Sequence, residues 1–397
     1  MKPLEGIRIL DLTRVLSGPF ATALLADLGA EIIKIEPPHG DEYRHIGPFR
    51  DGESALFTLT NRGKNSVVID LKAPEGQSLA QQLASQCDVV VENFRPGVAK
   101  RLGLGADALR AHKPELVYCS ISGFGQDSPE AQLPAFDIVA QAMSGWMDAT
   151  GEEGGAPLKV GEALGDIAAG LYAVIAILAA LIGQKRSGQG ATLDVAMLDS
   201  LVAMLPTSHA IHMYSDTAIE RVGNRHPLST PFGAFRTKDG QAIIAVLGDR
   251  QFKSLCDVIG VPDAATDPRF STDEIRTQNE PAVRAMIEDW TSLYPTSTVV
   301  EKLSEARVPT APIMTLAEQL ASDHAQARAL VRDLPHHRLG KSPVVGQPIR
   351  FDGKAHLAEN GAPSLGGETR AILQEAGLTE AQIAQLISAG VVKEADK

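Results

Sequence analysis

The chain has 397 residues, of which 44% are hydrophobic and 22% charged, the profile of a globular protein with an ample core. Its formal net charge of −12 argues against nonspecific binding to nucleic acid or to an anionic membrane surface, so neither is an expected partner. The thiols Cys87, Cys119 and Cys256 form no CxxC pair, which indicates a reducing compartment and predicts a cytoplasmic location.

The first third of the chain alternates strand and helix patterns. Strands are predicted at residues 7–12, 31–36, 67–71, 88–93 and 116–122, and helices at residues 19–28 and 74–85. This alternation predicts βαβ units and a largely parallel sheet. Ligands of such sheets contact the loops that follow the strands, here residues 13–18, 37–41, 72 and 93–97. No GxGxxG follows the first strand, which disfavours an NAD or FAD dehydrogenase.

Residues 167–183 form an uncharged run headed by Asp166. The run is at the lower length limit for a membrane span, but the patterned sequence around it favours a buried core helix. Asp166 has two open interpretations. It could cap the helix, a position that Asp prefers, or it could be a shielded, ionised nucleophile towards an activated acyl group.

The pattern changes after residue 200. Residues 223–233 are dense in loop formers, residues 234–247 predict a β-hairpin, and residues 252–303 predict helices. A last strand is predicted at residues 348–351. We therefore expect a large domain of residues 1–200 completed by residues 320–397, a small α+β domain of residues 225–310, and linkers at residues 201–224 and 311–319.

Several basic residues lie on or beside the predicted ligand loops: Lys72, Arg95, Lys100 and Arg101. They suit a phosphate-bearing ligand, although ordinary solvated surface is an equal alternative. The histidines lack a partner carboxylate at zinc spacing, so no metal site is expected. His226 lies in a proline-flanked loop. It is either a substrate contact or a loop residue whose ring nitrogens are hydrogen-bonded within the protein.

Seven segments, in order along the chain, carry a family resemblance. They are residues 11–19 (DLTRVLSGP), 33–41 (IKIEPPHGD), 61–66 (NRGKNS), 70–72 (DLK), 91–97 (VENFRPG), 120–125 (SISGFG), and 165–166 (GD) with the apolar helix and residues 188–190 (GQG). In this order they resemble the class III CoA-transferases, which include formyl-CoA transferase, carnitine CoA-transferase and α-methylacyl-CoA racemase. The resemblance covers nearly the whole chain.

The resemblance implies an α/β fold with a Rossmann-like large domain and a smaller α+β domain, in a homodimer of two interlocked chains. It implies coenzyme A and acyl-CoA as substrates and no prosthetic group. Asp166 falls on the family's catalytic aspartate. The positions that match the family's CoA contacts are Val15, Leu16, Ser17, Ile69, Asp70, Leu71, Lys72, Asn93, Phe94, Arg95 and Arg101.

The resemblance also implies a reaction. Asp166 would attack an acyl-CoA thioester to give a mixed anhydride, and the released CoA thiolate would convert it to an aspartyl-CoA thioester. The expected donor is succinyl-CoA, and the expected acceptor is a dicarboxylate such as itaconate, glutarate, citramalate or mesaconate. Arginines suit a second carboxylate. The candidate substrate contacts are Arg14, Arg44, Phe136, Arg225 and His226.

Two departures from family patterns narrow the expectation. Formyl-CoA transferase has Gln where this chain has Leu16, so oxalate and formate are not expected as substrates. The racemase branch has a histidine where this chain has Phe136, and phenylalanine cannot shuttle a proton. A racemase or epimerase is therefore an alternative that lacks one of its two bases, and a non-catalytic CoA-binding protein is the other alternative.

Overall fold

The computed structural model describes residues 2–395, which fall into two compact units. Within these limits the first unit comprises residues 2–146, 159–206 and 325–395, and the second comprises residues 147–158 and 207–324. The limits expected from the sequence differ from these. Residues 147–158 belong to the second unit, and so do residues 207–224 of one predicted linker, the predicted linker at residues 311–319 and the adjoining residues 320–324.

The secondary structure of the N-terminal part is β1 (Arg8–Asp11), α1 (Ser17–Asp27), β2 (Glu31–Glu36), a 3-10 helix (Glu42–His45), β3 (Phe49–Arg50), β4 (Glu53–Ser54), α2 (Ala55–Thr60), β5 (Lys64–Ile69), α3 (Pro74–Ser85), β6 (Val89–Glu92), α4 (Val98–Arg101), α5 (Ala106–His112) and β7 (Val117–Ser122). The middle contains α6 (Asp137–Met143), α7 (Trp146–Ala149), α8 (Leu164–Ser187), β8 (Thr192–Ala196), α9 (Met197–Ala203), α10 (Pro206–Tyr214), β9 (Phe232–Arg236), β10 (Gln241–Ala245) and α11 (Asp249–Ile259). The remainder contains two 3-10 helices (Pro262–Thr266 and Pro268–Phe270), α12 (Asp273–Gln278), α13 (Glu280–Thr291), α14 (Thr296–Glu305), β11 (Thr310–Pro312), α15 (Leu316–Ala321), α16 (Asp323–Arg328), β12 (Val331–His336), β13 (Gly340–Val345), β14 (Arg350–Phe351), β15 (Lys354–Ala355), α17 (Thr369–Glu375), α18 (Glu380–Ser388) and β16 (Val392–Lys393).

A seven-stranded sheet forms the first unit's framework, in the order β16–β5–β2–β1–β6–β7–β8. The strands pair in parallel except for β16, which pairs antiparallel with β5. Without that edge strand, the order corresponds to the 3-2-1-4-5-6 arrangement of doubly wound folds. Ligands of such sheets bind where the strand order reverses, which here is the crevice between the ends of β1 and β6.

Helices cover both faces of this sheet, because successive residues of a buried strand point to opposite sides. Ile9 of β1 packs in a core cluster with Ala173 of α8, whereas the next residue, Leu10, packs in another cluster with Leu79 of α3. The second unit has its own core around the antiparallel sheet β11–β10–β9, where Phe235 and Ile244 lie among the helices.

The long apolar helix α8 is buried along one face only. Ala169, Ala173 and Ile177 are fully buried in the first unit, which confirms the predicted core helix. The other face exposes large apolar side chains: Leu171, Tyr172, Ile175 and Ile182. Among the residues that the structure describes, α8 alone is long and apolar enough to cross a bilayer by length and composition, a test that core helices also pass.

The predicted N-terminal elements are confirmed with ends that differ by at most three residues, and so is the hairpin formed by β9 and β10. The predicted last strand is partly wrong. Residues 350–351 do form β14, but this short strand pairs only with β15, and the strand that joins the large sheet near the C-terminus is β16.

Candidate active site

Asp166 is the third residue of α8, in its first turn. The interpretation of Asp166 as the helix cap is wrong, because α8 begins at Leu164 and the capping position is Ala163, which has no side-chain acceptor. The carboxylate therefore lies in the first turn of the helix, within reach of the positive end of the helix dipole. It is half-buried and lines the same cavity as Ser17, whose hydroxyl and backbone N–H favour its ionised form.

The surroundings of Asp166 raise its pKa from the ordinary 3.8 to about 6. Burial is the main cause, and the nearby Asp137 carboxylate adds to it, while the two Ser17 hydrogen bonds act in the opposite direction. At pH 7 about nine in ten molecules would carry an ionised Asp166. The carboxylate is thus charged yet poorly solvated, a state suited to nucleophilic attack.

Asp137 is a site residue that sequence reasoning did not select. It begins α6, and its Oδ1 accepts a hydrogen bond of 2.6 Å from the backbone N–H of Gly165, directly before Asp166. Its Oδ2 accepts from the amide of Gln141, which is fully buried. In the sequence it directly follows Phe136, the position that was compared with the racemase histidine, but its contact with Gly165 spans 28 residues of chain.

The loop after β1 brings Ser17 to Asp166 through an unusual backbone turn. Val15 has φ of +67°, in the left-handed region that β-branched residues rarely adopt. Such a conformation costs about 1–3 kcal/mol and persists only where the surroundings enforce it. One enforcing contact comes from Asn93, whose side-chain oxygen accepts from the Arg14 N–H at 2.9 Å and whose NH₂ donates to the Arg14 carbonyl at 2.8 Å.

Two neighbouring cavities open at the carboxyl ends of the strands, as the sheet topology requires. The first, of about 430 Å³, has Asp166 in its wall. The predicted residues that line it are Arg14, Val15, Leu16, Ser17, Asn93, Phe94, Arg95 and Phe136. The second, of about 400 Å³, is lined by the predicted residues Ile69, Asp70, Leu71 and Lys72, and shares Arg14 and Phe94 with the first. The structure therefore brings most predicted positions together.

Arg101 lines neither cavity. It ends α4, and its guanidinium lies over Gly97, where an added Cβ would be 3.4 Å from Nη1. Lys72 and Arg95 remain at the cavity walls as cations for an anionic ligand.

The placement expected for Arg44 at the acyl end is wrong. Its guanidinium binds both oxygens of buried Glu36 at 2.7 Å and stacks over the ring of Phe57 at 3.7 Å. Paired in this way, Arg44 faces a third cavity that Asp166 does not line. Arg44 thus forms a structural ion pair with Glu36.

Arg225 and His226 belong to the second unit. Arg225 pairs with Glu153 at 2.6 Å, and His226 packs its ring against Phe232 at 5.2 Å.

Glu92 is a second acid that sequence reasoning did not select. It is buried at the end of β6, where it accepts a hydrogen bond of 2.8 Å from the N–H of Phe94. Its pKa is raised to about 7, mainly by burial and also by the Asp194 carboxylate, while hydrogen bonds from Ser120 and Phe94 oppose the shift. Glu92 thereby helps to shape the loop that lines both cavities.

The comparison with known families gives a single assignment. The CoA-transferase family III profile matches residues 4–369. The chain belongs to CoA-transferase family III. It is accordingly an enzyme with CoA-transferase activity, a class that uses CoA thioesters as substrates, and the family resemblance seen in its motifs is confirmed.

Named relatives match along nearly their whole length. A succinate–glutarate CoA-transferase of Agrobacterium fabrum is 41% identical over 94% of this chain and 95% of that protein. An acetyl-CoA:oxalate CoA-transferase of Acetobacter aceti is 40% identical over 96% and 97%, respectively. Human succinyl-CoA:glutarate CoA-transferase is 37% identical over 99% and 90%.

Solved structures agree with the fold. The crystal structure of a CAIB/BAIF family protein from Brucella suis is 36% identical, covers 94% of this chain and 99% of its own, and superposes with a TM-score of 0.83. The α/β architecture with a large, mostly parallel sheet is thus shared with experimentally determined relatives.

Proposed function

We propose that this CoA-transferase moves CoA from succinyl-CoA to a small dicarboxylate, with Asp166 as the covalent nucleophile. The observation that carries the proposal is the placement of Asp166: an ionised, half-buried carboxylate in the wall of a cavity formed by the loops after β1 and β6. Relatives named for glutarate, mesaconate and citramalate support the class of acceptor.

The reaction proceeds in four balanced steps. A carboxylate oxygen of Asp166 attacks the donor thioester carbonyl, forming a mixed anhydride and expelling CoA thiolate. The thiolate attacks the Asp166 carbonyl, giving an aspartyl-CoA thioester and releasing the donor acid. The acceptor carboxylate then attacks that thioester, which forms a second mixed anhydride and expels CoA thiolate. The thiolate finally attacks the acceptor carbonyl of this anhydride, which gives the acceptor-CoA thioester and restores the Asp166 carboxylate. Together, these steps replace one difficult acyl exchange by several easier ones.

Two groups around Asp166 suit these steps. The Ser17 hydroxyl and N–H are donors beside Asp166, and they favour the negative charge that develops on its oxygen when the thiolate or the acceptor carboxylate attacks the Asp166 carbonyl. Asp137 opposes that charge but holds the N–H of Gly165, and so fixes the start of α8. No step requires a prosthetic group. The family resemblance implies that coenzyme A contacts residues 15–17, 69–72, 93–95 and Arg101.

Arg14 is the proposed contact for the second carboxylate of the acceptor. Its side chain is half exposed in the wall of the Asp166 cavity and is paired with Glu42 at 2.7 Å. A substrate carboxylate can replace Glu42 in a similar ion pair, since Arg binds carboxylates through two parallel hydrogen bonds. A racemase is disfavoured, because Phe136 offers no proton acceptor in this cavity.

A homodimer is proposed as the working form. The apolar side chains on the outer face of α8 support it: Ile175 and Ile182 are 60% and 58% exposed in the single chain. A second copy is the proposed occupant of this face, and light scattering in solution should give twice the chain mass. The buried free cysteines are consistent with turnover in the cytoplasm.

The decisive experiment is trapping of the acylated aspartate. The enzyme is mixed with labelled succinyl-CoA, quenched with hydroxylamine and digested, and the peptide containing Asp166 is examined by mass spectrometry. A hydroxamate on Asp166 is the expected result. Product formation from an acid with no modification of this residue would refute the covalent mechanism.

The acceptor is identified in the same assay by a panel of acids and detection of new thioesters. The panel contains glutarate, itaconate, mesaconate and citramalate, with oxalate included because one relative is named for it. Transfer to none of these acids, with tight CoA binding, would instead favour a non-catalytic CoA-binding protein. Incorporation of deuterium at the α-carbon of a 2-methylacyl-CoA would favour the racemase.

A further inference from the structure

A fully buried ion pair lies beneath the loop that carries Ser17. Lys34 of β2 and Asp41 of the following loop are 2.9 Å apart, and their side chains are 0% and 1% exposed. Replacing a buried ion pair by apolar residues is often neutral or stabilising, so overall stability is a weak explanation for this one. The further contacts of the pair indicate another role.

Each member of the pair holds the backbone of the loop after β1. The Lys34 ammonium donates to the Thr13 carbonyl at 2.7 Å. The Asp41 Oδ1 accepts from the Val15 N–H at 3.1 Å, and its Oδ2 accepts from Lys34. The pair thus binds the chain on both sides of Arg14, whose own backbone groups are held by the Asn93 amide.

The held segment is the one with the unusual backbone. Val15, at φ +67°, lies two residues before Ser17, so its conformation sets the direction in which Ser17 enters α1. If the side chains of Lys34, Asp41 and Asn93 did not hold the backbone of this segment, a β-branched residue would leave the left-handed region. The Ser17 donors would then move relative to Asp166.

We propose that Lys34 and Asp41 are positioning residues for CoA transfer, which hold the turn at Val15 and thereby aim the Ser17 donors at Asp166. This inference rests on the proposed role of Asp166. Both residues also border the second cavity, but their burial excludes direct contact with a substrate. Displacement of a catalytic donor by about 1 Å costs about 100-fold in rate.

The charge state of the pair is suited to this role. Burial lowers the pKa of Lys34, but the carboxylates of Asp41, Asp11 and Glu36 outweigh it and raise this pKa above the ordinary 10.5. The ammonium therefore stays charged across the neutral range, and the contact does not switch with pH.

The test uses Lys34→Met/Asp41→Asn, which removes both charges together and leaves no unpaired ion in the interior. We expect kcat to fall about 10- to 100-fold, with KM for succinyl-CoA within about twofold, because CoA contacts are retained while the nucleophile's donors move. Should this variant not fold, Asp41→Asn alone serves the same purpose, because it keeps an acceptor for Val15 and weakens only the hold of Lys34.

The pH profile separates positioning from a general structural effect. The Ser17 bonds lower the pKa of Asp166, so their loss should move the acid limb of kcat/KM to higher pH. Asp137 and Tyr43 also interact electrostatically with Asp166, and both are retained. The charged residues that share its cavity wall are retained as well: Arg14, Glu42 and Arg95. Ser17→Ala should show the same shift. A variant that combines Ser17→Ala with Lys34→Met/Asp41→Asn should have a kcat no lower than that of the slower of these two variants.

A matched control is the buried pair Arg62–Asp27, at 2.6 Å and 4% and 0% exposure. Asp27 lies at the opposite end of α1 from Ser17. Arg62→Met/Asp27→Asn should lower the unfolding midpoint but leave the pH profile unchanged.

Parental kcat and pH profile in the folded Lys34 variants, or an equal shift in the control, would overturn the inference. Transfer by Asp166→Asn at the parental rate would instead overturn the proposed function. The two failures are therefore distinguishable.

Discussion

Replacing Asp166 by Asn should make the protein inactive and more stable at alkaline pH. The folded state holds the Asp166 pKa at about 6, against 3.8 without burial. Because the folded form of this acid binds protons more tightly than the unfolded form, ionisation costs stability as pH rises through about 4 to 6. The loss of folding free energy is small below pH 4 and nearly complete above pH 6.

The magnitude follows from linkage. A shift of about two pKa units would correspond to about 3 kcal/mol in total, of which about half develops between pH 5 and pH 8. Since Asp166 is only half-buried, solvent screening reduces the change over this range to about 1 kcal/mol. Asn is neutral throughout and avoids this cost, while it keeps the size of the side chain.

The measurement is thermal unfolding of the parental protein and Asp166→Asn at pH 5 and pH 8, with CoA transfer measured on the same samples. We expect the difference in melting temperature, variant minus parent, to be about 2 °C larger at pH 8. An identical difference at both pH values would refute the argument that burial and Asp137 disfavour the charged carboxylate. The parental kcat/KM should also fall as pH decreases through about 6.

Two further substitutions test the geometry of the site. Gly170→Ala should lower kcat about tenfold and the free energy of unfolding by about 1–3 kcal/mol, because the new Cβ would lie 2.8 Å from the Ser17 carbonyl oxygen. Gly183→Ala on the same helix is the control: its Cβ meets nothing within 4 Å, and transfer should be unchanged. Arg14→Gln should raise KM for dicarboxylate acceptors about 10- to 100-fold in steady-state assays, and leave a monocarboxylate such as butyrate unaffected. Equal effects on both acid classes would contradict a contact between Arg14 and the second carboxylate.

The sequence alone predicted the elements that depend on local pattern. Strands β1, β2, β6 and β7 are short apolar runs bounded by loop formers, so the local sequence pattern alone predicts that they are buried. The parallel pairing of these strands then places the loops after β1 and β6 at one sheet edge. For this reason the sequence could identify Asn93, Phe94 and Ser17 as neighbours before any coordinates.

Only the tertiary structure decided which polar groups meet. Asp137 reaches Gly165 across 28 residues, Lys34 pairs with Asp41 beneath the loop after β1, and Arg44 turns to Glu36 instead of the cavity. The position of Asp166 within α8 was likewise hidden, since the helix starts at Leu164 and the capping residue Ala163 has no side-chain acceptor. Apolar periodicity is a local property of a chain, whereas the partner of a buried charge is set by whichever distant segments the packed core brings within about 3 Å.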